Sequence, residues 1–400
     1  MISVSKLLCG VIEPGDALRY GLKTASTLKT TRPNKDTPRP IVVWNCTRQC
    51  NLNCLHCYSN ARSQGSAGTL STSEGKGLIR DLAEFGVPVL LLSGGEPLLR
   101  EDIFELASFA RKQGTSPVLS TNGTLITQEV AEKIRNVGFE EVGISLDGIG
   151  ATNDHFRGKK GAYQTALDGI RNCVALGMRT SLRLTITTFN YREIPAIFDL
   201  AEREGVDRIC FYHLVYAGRA SNLHNGDLSH SATRALVDLI CERTLDLCRR
   251  GKPKEVLTVA NHTDGVYIYL KLKGQDPERA AKALSLLRRN GGNNCGIRIG
   301  AIDDLGNVHP DQFWWRHSLG NVRQRKFGDI WADSPDPLLH ELRERKELLN
   351  GRCSRCQYLD ICNGNMRARA EAAFGDVWAD DPACYLTDAE IGLYSESKYV

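Results

Sequence analysis

Three thiols fall within eight residues in Cys50-Asn51-Leu52-Asn53-Cys54-Leu55-His56-Cys57. Thiolates bind soft metals, and here their number is informative. A structural zinc requires a closed tetrahedron, whereas a 4Fe-4S cube held by three cysteines keeps one iron free for an outside ligand. A zinc knuckle completed by His56 or Cys46 stands as the alternative for this motif. A second group, Cys353, Cys356, Cys362 and Cys384, places four thiols in a 32-residue window. Four thiolates close a site, and zinc or a 4Fe-4S cluster satisfies them equally.

The elements that must position these groups are alternating apolar runs and helical patterns. Runs at 41–44, 89–92, 118–120, 142–146, 181–187 and 209–212 each adjoin a helix-like segment. Ser71-Thr72-Ser73-Glu74 opens one helix that ends near Phe85-Gly86, and Thr127-Gln128-Glu129 opens another that ends near Val137-Gly138. Such alternation predicts an α/β fold with a parallel sheet. Six strand-helix units are fewer than the eight of a closed barrel, which leaves an incomplete barrel or an open doubly wound sheet. The cysteine loop, the Gly94-Gly95-Glu96 turn, Asn122 and Asp147 all fall at carboxyl ends of successive strands, the face where barrel active sites assemble.

Composition shifts divide the chain into an amino-terminal arm (1–40), a core (41–250), a helical connector (251–295) and a cysteine-rich carboxy-terminal domain (296–400). The arm ends in a polar, proline-bearing stretch at 30–40 that reads as a linker, and the connector is helical around 277–289. The last part holds a hairpin-like run at 302–308 and the aromatic patch Phe313-Trp314-Trp315. Fourteen cysteines in 400 residues are too dilute for a disulfide framework, so reduced thiols are expected. Leu7-Leu8-Cys9-Gly10 has only Lys6 before it and too short an apolar stretch for a signal peptide, so a cytoplasmic location is expected. Fifty-one basic against 47 acidic residues is too even a balance to argue for nucleic acid. The longest apolar run, 87–92, falls far short of the roughly 20 residues that cross a bilayer, so no membrane span is expected.

Cys50-x3-Cys54-x2-Cys57 followed by Tyr58 resembles the signature of the radical S-adenosylmethionine (SAM) superfamily, and Ser93-Gly94-Gly95-Glu96-Pro97 resembles its Gly-Gly-Glu-Pro motif. The resemblance covers about residues 41–215 and implies a partial (β/α)6 TIM-like barrel. It implies that Cys50, Cys54 and Cys57 hold a 4Fe-4S cluster whose free iron binds SAM, and that an electron from the reduced cluster cleaves SAM to a 5'-deoxyadenosyl radical. Tyr58, Gly94, Gly95 and Glu96 are then expected around SAM, with Glu96 facing its amino group. Asn122, Ser145 and Asp147 offer short polar groups for the ribose, although Asn-Gly and Asp-Gly are also ordinary turns. Arg183 suits the methionine carboxylate and Tyr212-His213 suit the border of the adenine, while a buried structural role fits each as well.

The window around Cys353, Cys356, Cys362 and Cys384 resembles the SPASM domain, which in full form holds two auxiliary clusters. This chain departs from that pattern, with Met366 and Asp311 standing where cysteines belong. One auxiliary 4Fe-4S cluster on these four cysteines is therefore expected, two clusters in all, with Cys295 a remnant or a core thiol. The opening residues, the segment 309–315 and the reduced cluster set resemble the tetrapyrrole-processing SPASM enzymes. That likeness implies an iron tetrapyrrole substrate, with Arg219, Trp315 and His317 beside Phe313, Trp314 and Arg316 supplying aromatic faces and cations. Paired tryptophans also suit a core beneath the hairpin. His213, His309 and His317 are open candidates for the substrate iron.

The activity implied is removal of two acetate side chains from 12,18-didecarboxysiroheme to give Fe-coproporphyrin III, with a ferredoxin or flavodoxin as electron donor. Removal of propionates from the same macrocycle on the way to heme d1 is the alternative. A peptide-modifying SPASM maturase and an iron-sulfur electron carrier are more distant readings.

Overall fold

The six apolar runs become six neighbouring parallel strands in the computed structural model, which describes residues 1–21, 39–332 and 334–393. The proline-bearing stretch expected as a linker lies, up to residue 38, outside the described residues. In chain order the strands are β1 (Ile2–Ser3), β2 (Ile41–Asn45), β3 (Val89–Ser93), β4 (Ser116–Thr121), β5 (Val142–Ser145), β6 (Thr180–Thr185), β7 (Arg208–Tyr212), β8 (Glu255–Val259), β9 (Ile299–Ile302), β10 (Asn307–His309) and β11 (Gly320–Asn321). They form one sheet in the order β1-β8-β7-β6-β5-β4-β3-β2-β9-β10-β11. From β2 to β7 spatial order follows chain order, which gives the partial barrel expected from the sequence.

Local chemistry sets the crossover helices. Ser71 and Glu74 form a reciprocal capping box at the start of the helix Thr72–Phe85, and Gly86 ends it in a left-handed conformation. The Thr127 side chain caps Gln128–Val137 by accepting from Val130 N, and Gly138 ends that helix in a left-handed conformation. Each helix turns its apolar stripe onto the sheet. Leu78, Ile79 and Leu82 pack with Trp44, Leu90 and Leu92, while Ala131 and Ile134 join the larger core with Leu119, Ile144 and Leu182.

Two parallel strands lie outside the six units. β8 pairs with β7, and β9 pairs with β2, so the sheet runs without interruption into the carboxy-terminal region. The connector expected at 251–295 thus contributes β8 to the barrel before its helices Thr263–Gln275 and Pro277–Asn290. The amino-terminal residues expected as an arm are likewise part of the domain. β1 pairs antiparallel with β8, and Ile2, Val4 and Leu7 are buried in the core.

Glu255, the first residue of β8, sits in a buried charge network at the amino-terminal end of the strands. It accepts from Arg19 at 2.5 Å and from Arg179, and forms an ion pair with Arg208 at 2.8 Å. Arg179 and Arg208 reach Glu141 as well, on the residue entering β5. These ion pairs fill the end of the barrel opposite the cysteine loop.

At the other end, Arg369 of the helix Arg367–Phe374 binds Asp381 with both side chains wholly buried. Its remaining donors reach Leu214 O at 3.0 Å and Ala260 O at 2.9 Å, just beyond β7 and β8. One guanidinium therefore joins two strand ends to the loop that carries Cys384.

Candidate active site

Beyond the carboxyl ends of β2 to β7 lies a partly open cavity of about 150 Å3. Its wall includes Cys50, Cys54, Cys57, Tyr58, Gly94, Gly95, Asn122, Ser145, Asp147, Arg183 and Arg219. The cysteine loop is held in place by backbone pairing. Cys50 N bonds Arg62 O at 2.7 Å, and Asn53 N and Leu55 N bond Arg157 O and Phe156 O at 3.1 and 2.9 Å. Gly94 and Gly95 pass beneath this loop so closely that a Cβ would stand 2.3 Å from Thr47 O and 2.2 Å from Gln49 O. Only glycine fits, and Gly94 also has φ +143°.

Three thiols line the cavity, and neither proposed fourth zinc ligand joins them. Cys46 is buried, with Sγ 3.2 Å from Ser93 O, and is absent from the wall. His56 lines the wall, but its Nε2 lies 3.1 Å from Asp147 Oδ2. Among the described residues no three His, Cys, Asp or Glu side chains sit close enough for a single metal ion. A cube with iron at separate corners takes its thiolates further apart.

Donors already point at the sulfurs. Leu52 N lies 3.4 Å from Cys50 Sγ, Ala61 N 3.4 Å from Cys57 Sγ, and Arg157 Nη1 3.7 Å from Cys54 Sγ. Burial pushes the Cys50 thiol up to about 12, so cluster binding must displace its proton. Three buried guanidinium donors on the wall have no hydrogen-bond partner, Arg157 Nε, Arg183 Nε and Arg219 Nη2, and neither does the His56 Nδ1 atom. Three open thiols ringed by unspent cationic donors fit an anionic cluster and a ligand rich in acceptors.

The Glu96 carboxylate is wholly buried and absent from the wall. It accepts from Thr121 Oγ1 at 2.7 Å, Asn122 N at 2.8 Å and Leu98 N at 3.1 Å. It therefore anchors the end of β4. Burial raises its carboxyl against these hydrogen bonds.

Asp147 lines the wall, but its oxygens are already engaged. Oδ1 accepts from Thr185 N at 2.8 Å, and Oδ2 pairs with Arg157 at 2.5 Å as well as His56. Burial pushes its carboxyl up, yet the Arg157 charge and His56 outweigh this and hold it at about 2. The residue positions Arg157 and His56. Asn122 donates to Asn51 Oδ1 at 2.8 Å and approaches Cys50 Sγ at 3.9 Å. The Ser145 hydroxyl has no partner among the described residues and faces the cavity.

Arg183 lies across Gly143, where a Cβ would stand 2.2 Å from its Cζ, and donates to Ser120 Oγ at 2.7 Å. Tyr58 donates to Asn45 Oδ1 at 2.9 Å and sets its ring edge-on to Phe313 at 5.1 Å. Arg219 clamps the cysteine loop through Cys54 O and Ala61 O, both at 2.7 Å, so only Nη2 is left for a substrate. Trp315 and His317 are not on the wall. Trp315 stacks on His309 beneath Arg48, and His317 bonds Glu371 Oε1 at 3.0 Å. The same segment instead sends Gln312 and Phe313 to the cavity, because Trp314 is drawn into the core with Nε1 on Glu371 at 2.6 Å. Arg157 is a wall residue that sequence reasoning did not assign, and His56 one that it offered only as a zinc ligand. Their signals were a segment after β5, Asp154-His155-Phe156-Arg157-Gly158, and the histidine within the cysteine loop.

The second cysteine group assembles from the turn Cys353–Arg355, the short helix Leu359–Cys362 and the loop at Cys384. Burial and then like-charge repulsion from Cys384, Cys353 and Cys356 push the Cys362 thiol well up. Cys295 is wholly buried in a separate apolar cluster with Trp314 and Met366.

Residues 44–201 match the radical SAM superfamily. The chain belongs to that superfamily, and it is a radical SAM enzyme using a 4Fe-4S cluster and SAM. It is 55% identical to the Fe-coproporphyrin III synthase of Methanosarcina barkeri over 98% of this chain and 100% of that one. It is 44% identical to the pre-heme d1 synthase of Dinoroseobacter shibae over 90% of this chain and 89% of that one. Its fold is similar to that of Streptococcus suis SuiB bound to precursor peptide SuiA, with a TM-score of 0.69, 17% identity and coverage of 88% of this chain and 76% of that one. Among the described residues no helix is long and apolar enough to cross a membrane.

Proposed function

We propose that this enzyme removes two acetate side chains from 12,18-didecarboxysiroheme to give Fe-coproporphyrin III. The observation that carries the reading is 55% identity, along nearly the whole chain, to a protein named for that product. Cys50, Cys54 and Cys57 hold the SAM-binding cluster, and Cys353, Cys356, Cys362 and Cys384 hold an auxiliary 4Fe-4S cluster. When bound, the first cluster and SAM supply a 5'-deoxyadenosyl radical. The chain's own residues do the rest by placement. The Gly94-Gly95 backbone, Asn122, the Ser145 hydroxyl and the free Nε of Arg183 surround SAM. Tyr212, Leu214, Val215 and Phe313 give a flat macrocycle an apolar and aromatic wall. Arg219 Nη2 offers a cation to its carboxylates. A ferredoxin or flavodoxin delivers the electrons, and the reaction takes place in the cytoplasm.

The test is anaerobic turnover of the cluster-loaded enzyme with SAM, a reductant and 12,18-didecarboxysiroheme, read by product mass. Loss of two acetate side chains together with 5'-deoxyadenosine is expected. Loss of two propionates would assign the chain to the heme d1 branch, for which the 44% identical relative is the supporting observation. An unaltered macrocycle would overturn both.

A further inference from the structure

His213 follows β7 directly and lies on the cavity wall. Its Nε2 is 2.8 Å from Asp264 Oδ2, and Asp264, with no exposed surface, accepts the Tyr385 hydroxyl on Oδ1 at 2.8 Å. A carboxylate only accepts, so Nε2 carries the proton and Nδ1 carries the lone pair of the neutral ring. Nδ1 has no partner among the described residues. An imidazole whose second nitrogen donates to a fixed carboxylate is the arrangement that orients a histidine for a metal and raises its basicity. His213 shares the cavity wall with Cys50, Cys54 and Cys57.

The other candidates are spent or misplaced. His309 bonds His317 O through Nδ1 at 2.7 Å and stacks on Trp315, away from the wall. His317 is held by Glu371 and is also off the wall. His56 does line the cavity with Nδ1 free, but it sits between Cys54 and Cys57 with its ring against Phe156 at 5.4 Å. A macrocycle bound there would cover the thiols that hold the cluster. Tyr212, Leu214 and Val215 flank His213, so a flat ring meeting its Nδ1 would lie on apolar wall.

We propose that His213 Nδ1 is the protein's axial ligand to the iron of the substrate, with Asp264 and Tyr385 fixing its tautomer and orientation. This rests on the tetrapyrrole reading above. It fixes the macrocycle's distance from the cluster by one coordinate bond, independently of its carboxylates.

The test titrates anaerobic, cluster-loaded enzyme with ferrous Fe-coproporphyrin III and with metal-free coproporphyrin III, read by the Soret band and by the iron–histidine stretch of the five-coordinate ferrous porphyrin in resonance Raman. Wild type is expected to bind the iron form and show that stretch. His213→Ala should lose it and bind the iron form at least about tenfold more weakly, with binding of the metal-free form unchanged. Added imidazole should restore a five-coordinate iron–imidazole stretch in His213→Ala, a rescue that a purely structural histidine would not give. His56→Ala should keep the wild-type signal. If His213→Ala fails to retain its clusters, Asp264→Asn carries the test through a shifted iron–histidine stretch, and an unshifted stretch overturns the proposal. A wild-type signal in His213→Ala, or its loss in His56→Ala, overturns the ligand assignment and leaves the tetrapyrrole reading standing. Wild type that binds neither porphyrin overturns both.

Discussion

Arg157 Nη1 lies 3.7 Å from Cys54 Sγ while Nη2 of the same guanidinium is 2.5 Å from Asp147. A buried cation thus rests against one thiol of the cysteine loop, held there by a carboxylate that faces it from the end of β5. Positive charge and hydrogen bonds at a cluster sulfur stabilise the reduced state and raise its potential. Arg157→Gln should therefore lower the midpoint potential of the SAM-binding cluster by on the order of 60 mV, the one-electron equivalent of ~1.4 kcal/mol. EPR-monitored redox titration reads this directly. Arg157→Lys, which keeps the charge and loses the fork, should fall between the two.

Gly94→Ala and Gly95→Ala should each disrupt the cysteine loop. The added carbon meets backbone oxygen at 2.3 or 2.2 Å, and backbone cannot swing aside as a side chain can. A loss of about 1–3 kcal/mol or more is expected, with reduced iron content. Thermal unfolding and iron analysis check both, and normal iron with an unchanged Tm would contradict the packing described.

The buried network at the base of the barrel makes stability pH-dependent. Burial raises the Glu255 carboxyl, but Arg208 and Arg19 outweigh it and leave it below its usual value; Glu141 is lowered likewise, with Arg208 and Arg183 opposing burial. A carboxylate depressed in the folded state stabilises fully above its unfolded value near ~4.3, and that contribution disappears as pH falls through the lower folded value. Stability should therefore drop on acidification below about pH 4–5. Glu255→Gln leaves the arginines unpaired and should cost about 3–5 kcal/mol at neutral pH, measured by denaturant unfolding of wild type and variant.

The proposed pair of clusters predicts two separable iron pools. Cys384→Ala should remove about four of about eight irons while keeping SAM binding. Cys50→Ala should remove the other four and abolish it. Iron analysis with SAM equilibrium binding distinguishes the two, and equal loss in both variants would argue for one shared site.

What was legible in the sequence was what depends on near neighbours. The capping box at Ser71 and Glu74, the cap at Thr127 and the stops at Gly86 and Gly138 are local hydrogen-bond devices, so both helices begin and end as read. The six core strands are apolar enough to stand out. β8 did not, because it opens on Glu255 after a polar turn, and its neutralising partners Arg19, Arg179 and Arg208 lie far away in the chain. The same limit governs the site. Three thiols and two glycines were readable from spacing, but the donors that saturate Glu96 come from the next strand, and Glu371 draws Trp314 and His317 away from the cavity. Residue type announced a charge or a ring; only long-range pairing decided whether it was free.

The account turns on three thiols that leave one iron open to SAM, and EPR of the reduced Cys353→Ala/Cys384→Ala variant isolates that cluster. Adding SAM should change the g values and line shape of its reduced signal. A signal identical with and without SAM would mean that the cavity cluster has no open iron, and the reading of this chain's active site would be wrong.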